Sequence, residues 1–150
     1  MSKLSQLYQQ VIIDHSKNPR NFGSLPSHTH SCNGHNPLCG DSISVYLILK
    51  DDLVEDVKFE GSGCSISQAS ASMMTQALKG KTQTEALQLF HEFQQMILGE
   101  LDPNEDKHHL GKLAIFAGVR EYPSRAKCAT LAWHTMHGAI NAEQQEITTE

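Results

Sequence analysis

The chain has 150 residues, with 12 Lys or Arg, 17 Asp or Glu and a formal net charge of −5. This length fits one domain with a core of its own. So few cations exclude a protein that holds nucleic acid or a membrane surface through clustered positive charge. No apolar stretch approaches the ~18 residues of a membrane span, and the N-terminus has no hydrophobic signal segment, so we expect a cytoplasmic protein.

The first part of the chain predicts a helix followed by a long loop. Apolar residues at helical spacing over residues 4–12 predict a helix, and it should end near Asn18 because Pro19 follows. Residues 20–39 are rich in Asn, Gly, Pro, Ser and His, a composition that predicts a loop.

The next part predicts a β-hairpin. Apolar residues alternate with polar ones over residues 42–49 and again over 53–59, which is the pattern of half-buried strands. Residues 50–52 (KDD) form a plausible turn between them, so we expect an antiparallel pair.

Helical periodicity returns after Cys64 and predicts helices over residues 66–77, 86–97, 110–119 and 129–140. Thr82 and Glu85 have the spacing of a capping box. Asp102 and Pro103 indicate a further helix start, and Ser124 can cap the last helix.

The order of helix, antiparallel strands and helices is typical of an α+β domain. We assign residues 1–142 to this single domain and residues 143–150 to a polar C-terminal tail.

Four cysteines stand out in a chain that can fold without disulfides: Cys32, Cys39, Cys64 and Cys128. Because cytoplasmic thiols stay reduced, they are more typical of metal ligands or reactive thiols than of a disulfide framework. Cys64 precedes a predicted helix, and Cys128 lies in the first turn of the last predicted helix, next to Lys127. A helix N-terminus and nearby cations stabilise the thiolate, which is the form that binds metal.

Asp41 lies two residues after Cys39, a spacing that places both side chains on one side of an extended segment. With Cys64 and Cys128 they form a candidate set of three thiolates and one carboxylate, which suits a tetrahedral zinc site or an iron–sulfur cluster. The carboxylate is the weakest of the four toward a thiophilic metal. Because no C-x-x-C pair is present, spacing alone also leaves open buried structural cysteines and a single cysteine nucleophile.

Two further residues near Cys39 are weaker candidates. Cys32 lies in the predicted loop, and we interpret it as a bystander thiol, with a spare ligand or a sulfur relay as the alternatives. His35 is kept as a minor ligand candidate. The histidine pair at residues 108–109 lies in a polar loop and is expected in solvent.

Whole motifs are more specific than single cysteines. They occupy residues 13–15 (IDH), 18–23 (NPRNFG), 36–41 (NPLCGD), 61–67 (GSGCSIS) and 124–133 (SRAKCATLAW). In this order they resemble the IscU/NifU-like iron–sulfur cluster assembly family, over about residues 4–139.

Three departures from the housekeeping IscU scaffolds make the chain similar to the SufU-type branch. Lys127 stands where those scaffolds carry a histidine before the third cysteine. Residues 119–125 (VREYPSR) stand where they carry a Leu-Pro-Pro-Val-Lys segment. Extra residues around 88–107 lengthen the gap between Cys64 and Cys128.

The resemblance implies an IscU-like α+β fold, in which helices pack on a small antiparallel three-stranded sheet. It implies a zinc ion held by Cys39, Asp41, Cys64 and Cys128. It also implies that the protein is not itself an enzyme, and that it works with a pyridoxal-phosphate cysteine desulfurase of the SufS type and with other iron–sulfur assembly proteins.

In the role implied for this branch, a histidine of the desulfurase replaces one cysteine on the zinc, and the released thiolate attacks the persulfide. By position Cys39 is the sulfur acceptor, and Arg125 assists the exchange. The family alternative is a scaffold that builds a transient iron–sulfur cluster on Cys39, Cys64 and Cys128. Outside the family, a thiol-dependent hydrolase and a structural zinc module are the competing hypotheses.

Overall fold

The computed structural model describes residues 3–37, 40–141 and 147–148, with side chains for 6–37, 40–119 and 122–141. Its elements in chain order are α1 (Lys3–Lys17), β1 (His30–Asn36), β2 (Asp41–Lys50), β3 (Leu53–Ser62), α2 (Ser65–Leu78), α3 (Gln83–Ile97), a 3₁₀ helix (Gly111–Glu121), α4 (Pro123–Ile140) and β4 (Ile147–Thr148). The expected α+β arrangement, with helices on an antiparallel three-stranded sheet, is confirmed, and β4 extends the sheet to the order β3-β2-β1-β4. Within the described ranges, no helix is long and apolar enough to cross a membrane.

The predicted hairpin is formed by β2 and β3. The alternate residues Ile43, Val45 and Leu47 are buried, as the period-two pattern requires. Asp51 and Asp52 connect the strands with positive φ angles of 51° and 71°. A two-residue turn with both residues left-handed matches the twist of the strands, which fixes the register of the pair.

Strand β1 overturns the prediction of a loop throughout residues 20–39. Its sequence, HSCNGHN, has low strand propensity, but the whole segment pairs antiparallel with β2. Gly34 lets β1 lie close against α4, because a Cβ at this position would overlap the hydroxyl of Thr135. Pairing and close packing therefore impose the strand where local composition predicts a loop.

The helices form the other layer around an aromatic centre. The capping box of α3 is present as predicted, with Thr82 and Glu85 each accepting the other's backbone N–H. Phe93 of α3 stacks on Trp133 of α4, with ring centroids 4.7 Å apart. Phe116 of the 3₁₀ helix meets Phe93 edge-on at 5.6 Å. This packing fixes α4, the helix that carries Cys128.

Two predicted helix starts are wrong. The Asp102 carboxylate accepts the backbone N–H of Asn104 at 2.9 Å and so closes a turn in place of a helix. Helix α4 begins at Pro123 after Tyr122, so Ser124 is not its cap. Proline suits this first position because its missing N–H would have no helical partner there. Cys128 is consequently the sixth residue of α4 and lies in its second turn.

The C-terminal boundary placed after residue 142 stays a prediction. Within the segment expected as a polar tail, Ile147 and Thr148 pair parallel with Gly34 and His35 of β1. Residues 142–146 and 149–150 lie outside the described part of the chain.

Candidate metal centre

Asp41 is the first residue of β2, and its side chain is fully buried. Its Oδ1 accepts the backbone N–H of Cys64 at 2.8 Å. A Cβ at residue 63 would overlap this carboxylate, so Gly63 is required for the chain to pass so close. Gly63 and Cys64 therefore pack closely against the Asp41 carboxylate.

Cys64 is the N-cap of α2, which confirms its predicted place at a helix start. Its Sγ accepts the N–H of Ser67 at 3.5 Å and lies 3.9 Å from Asp41 Oδ2. The residue is half-buried. The same side chain therefore caps a helix and faces the carboxylate.

Cys128 reaches the same point from α4 and is 2% exposed. Because it lies in the second turn, the prediction that places it in the first turn, at the positive end of the helix dipole, is wrong. The Asn36 side chain contacts its sulfur, with Nδ2 donating to Sγ at 3.6 Å.

The structure brings three of the four predicted ligands together. The ligand atoms of Asp41, Cys64 and Cys128 all lie within 4.8 Å of one another. Tetrahedral zinc with Zn–S bonds of ~2.3 Å separates neighbouring donors by about 3.8 Å, and it accepts both thiolate and carboxylate ligands. This donor set therefore fits zinc with little adjustment. The fourth predicted ligand, Cys39, lies outside the described residues.

Asn36 is a residue of this centre that the sequence reasoning missed. It is fully buried at the end of β1, directly opposite Asp41 in the β1–β2 register. Its Nδ2 donates to Asp41 Oδ2 at 3.3 Å as well as to Cys128. No local signal in the sequence marks it, because its role depends on burial and on contacts with residues distant in the chain.

The two weaker candidates lie elsewhere. Cys32 is 6% exposed in the core, opposite Val45 across β1 and β2, so it does not belong to a flexible loop. His35 alternates to the other face of β1 from Asn36, and its Nδ1 lies 3.2 Å from the Ser42 hydroxyl. Neither joins the cluster that the described residues form.

Arg125 lines a groove of about 950 Å³ together with residues of α1 and the 3₁₀ helix, and none of the three clustered donors lines this groove. Its side chain is exposed, and the guanidinium sits 4.7 Å from the centroid of the Tyr122 ring. Tyr8 also lines this groove. The pKa of Tyr8 is raised, chiefly by burial, while the Arg125 charge lowers it and Cys64 raises it.

Comparison with known proteins gives concordant matches over most of the chain. The family described as the NifU-like N terminal domain matches residues 7–142. The zinc-dependent sulfurtransferase SufU of Bacillus subtilis is 46% identical over 143 residues, which cover 95% of each chain. The iron–sulfur cluster assembly scaffold protein IscU of Streptococcus pyogenes is 42% identical, over 100% of this chain and 94% of that protein.

Solved structures agree with this. A crystal structure from Fervidobacterium islandicum AW-1, of a protein assigned as an iron–sulfur cluster assembly scaffold for the SUF system, superposes with a TM-score of 0.80. It is 35% identical and covers 90% of this chain and 97% of its own. A crystal structure of a hypothetical protein is similar at a TM-score of 0.82 and 42% identity, over 91% of this chain and 98% of that one.

Proposed function

Because this chain belongs to the family of NifU-like N-terminal domains, we propose that it works in iron–sulfur cluster assembly and accepts sulfur from a cysteine desulfurase at a metal-held thiolate. The convergence of Asp41, Cys64 and Cys128 at one point is the observation that carries this proposal. The relatives named as a zinc-dependent sulfurtransferase and as a cluster assembly scaffold support the same chemistry.

The residues that would hold zinc are Asp41, Cys64 and Cys128, with Cys39 as the proposed fourth ligand. Zinc bound there keeps the thiolates unprotonated and protects them from oxidation. The chain orients its donors before any metal arrives, because the Cys64 N–H fixes one oxygen of Asp41 and the Asn36 amide contacts the other.

Sulfur acceptance is proposed as a thiol exchange at Cys39. Its thiolate attacks the outer sulfur of the desulfurase persulfide; the new S–S bond forms as the persulfide S–S bond breaks, and the desulfurase cysteine leaves as a thiolate. Arg125, which is exposed and lines the groove, is proposed to assist the exchange through its positive charge. The chain accepts sulfur stoichiometrically and is therefore an acceptor, with a pyridoxal-phosphate desulfurase of the SufS type as its partner in the reducing cytoplasm.

A cluster scaffold is the second candidate function. The thiolates proposed as zinc ligands can equally hold a nascent iron–sulfur cluster, and a relative that matches the whole chain is named as such a scaffold. In this role the cluster is cargo, which is assembled on the donors and passed on.

Native mass spectrometry of the freshly purified protein, followed by incubation with a desulfurase and cysteine, tests both functions. Sulfur acceptance predicts one zinc per chain, a marked rise in desulfurase activity and the added mass of sulfur on the Cys39 peptide. Cys39→Ser should abolish that added mass, whereas Cys32→Ser is the matched control that keeps it.

The other outcomes separate the alternatives. Absence of zinc, with ready transfer of a reconstituted cluster to an apo-acceptor, would establish the scaffold. Tightly held zinc without sulfur uptake or cluster transfer would establish a structural zinc module. Failure to bind either zinc or a cluster would refute both proposed functions.

A further inference from the structure

The side chain of Asn36 joins three separate elements at the candidate metal centre. Asn36 ends β1, its contact Asp41 begins β2, and its other contact, Cys128, lies on α4. All three side chains are buried, with Asn36 and Asp41 at 0% exposure and Cys128 at 2%. A buried amide this close to two donor atoms has a direct way to influence whatever they bind.

The chemistry of the two contacts selects the orientation of the amide. A carboxylate oxygen and a thiolate sulfur both accept and cannot donate, so the NH₂ group, with its two N–H bonds, faces them. Nδ2 lies 3.3 Å from Asp41 Oδ2 and 3.6 Å from Cys128 Sγ, so its two N–H bonds can serve one acceptor each. A leucine of similar size would fill the space and offer neither donor.

We propose that Asn36 is a positioning residue of the metal site, a role that rests on the proposed function. Its amide fixes the separation of Asp41 and Cys128 and, by donating to the sulfur, makes Cys128 the thiolate that stays bound. An N–H···S bond draws charge from the sulfur and lowers its reactivity, as hydrogen bonds around metal-bound cysteines do in general.

This role divides the thiols of the centre between two tasks. Cys128 is enclosed and accepts from the Asn36 amide, whereas Cys64 is half-buried and accepts from the backbone N–H of Ser67. Cys128 is therefore the anchor, and exchange takes place at the other donors. The Asn36 side chain, which is not itself a proposed ligand, connects Asp41 on β2 to Cys128 on α4.

Asn36→Leu tests the proposal, with Asn33→Leu as the matched control. Asn33 lies on the same strand but is exposed, and its Oδ1 accepts from Ser44 at 2.7 Å. We expect Asn36→Leu to lower zinc affinity about 10- to 100-fold, the usual cost of losing an outer-shell partner, and Asn33→Leu to leave it unchanged. Chelator competition measures the affinity and the release rate.

A spectroscopic readout separates positioning from a purely structural role. With Co²⁺ in place of zinc, loss of the N–H···S bond should shift the thiolate-to-metal charge-transfer band to lower energy in Asn36→Leu only. Weaker binding without this shift would overturn the proposed hydrogen bond. Unchanged affinity and spectrum in Asn36→Leu, or equal changes in Asn33→Leu, would overturn the positioning role.

A measurement on the unmodified chain keeps the proposal testable if Asn36→Leu fails to fold. With ¹¹³Cd at the site, the side-chain NH₂ protons of Asn36 should show scalar coupling to the metal through the Cys128 sulfur. A well-resolved Asn36 NH₂ signal without coupling would overturn the proposal. These readouts use metal alone, so the proposed sulfur transfer can fail independently of them, through absent sulfur uptake by a normally loaded wild-type protein.

Discussion

Asp41 and Glu92 are the two buried carboxylates among the described residues, and the chain treats them differently. Glu92 of α3 accepts the backbone N–H of His109 at 2.5 Å, the His109 ring Nδ1 at 2.7 Å and the Gln88 amide at 2.7 Å. Burial raises the pKa of Glu92, but these hydrogen bonds outweigh it and hold the pKa below its usual value. Both carboxylate oxygens of Glu92 thus accept hydrogen bonds from groups of the same chain.

Asp41 has looser contacts. One oxygen accepts a short backbone bond, but the other has Asn36 at 3.3 Å and the Cys64 sulfur at 3.9 Å. Its neighbours are two sulfurs, which become anions when they bind metal. A buried charge is costly unless it is paired. The comparison shows that Glu92 is bound by groups of its own chain, whereas the Asp41 carboxylate lies among donor atoms that could hold a cation.

The largest expected effect is at Cys128. Cys128→Ser removes an enclosed thiolate and should abolish stoichiometric zinc binding, as measured by native mass spectrometry. Cys32→Ser changes a cysteine that is also buried but lies away from the centre, and it should retain one zinc per chain. Retention of stoichiometric zinc by Cys128→Ser would remove this residue from the ligand set.

Asp41→Ala tests the carboxylate of the centre directly. Because it removes the ligand proposed as the weakest, we expect zinc to be released at least about tenfold faster, which corresponds to about 1.4 kcal/mol. Stopped-flow competition with a chelator measures the rate. Glu92→Ala is the matched control, since it deletes the other buried carboxylate and should leave release unchanged. Equal rates for wild type and Asp41→Ala would mean that Asp41 is not a ligand.

Glu92→Gln should lower the stability of the fold and leave zinc binding unchanged. It weakens the charge-assisted bonds from His109 and Gln88, so the free energy of unfolding should fall by about 1–3 kcal/mol, while zinc stoichiometry stays at the wild-type value. Urea unfolding of the metal-free proteins measures the first quantity. A loss of zinc in Glu92→Gln would show that the contacts of Glu92 and the candidate metal centre are not independent.

The smallest expected effect is the pH dependence of the stability difference between wild type and Glu92→Gln. The folded-state pKa of Glu92 is lowered, so its stabilising contribution is complete above the unfolded-state value of about 4.3 and is lost as the pH falls through the folded value. The stability difference between wild type and Glu92→Gln should therefore be constant near pH 5.5 and shrink toward pH 3. A difference that grew on acidification would contradict the assignment.

Local patterns in the sequence account for much of the fold. Periodicity predicts α1, the β2–β3 hairpin and α3, because each buries one face of a regular element. The capping box can be predicted from local sequence because its two members, Thr82 and Glu85, are only three residues apart. Strand β1 cannot be predicted from local sequence, since its polar residues form a strand only by pairing with β2.

The centre was predictable in its residue types but not in its supports. Asp41, Cys64 and Cys128 come together as expected, whereas Asn36 acts through contacts 5 and 92 residues away in the chain. The position of Cys128 on its helix depends on where α4 begins, which Pro123 decides in place of Ser124. In the same way, His109 is exposed as the polar loop predicts, yet its bond to Glu92 comes from tertiary structure.

Cys64 both caps α2 and belongs to the candidate metal centre, so the backbone amide that it caps should respond to metal binding. Its sulfur accepts the Ser67 amide at the start of α2, and the same lone pairs are needed by any ion at the centre. Loading the site must then redistribute electron density away from that amide proton. The Ser67 resonance, and the rate at which its proton exchanges with deuterium, should consequently record site occupancy in real time without an added label.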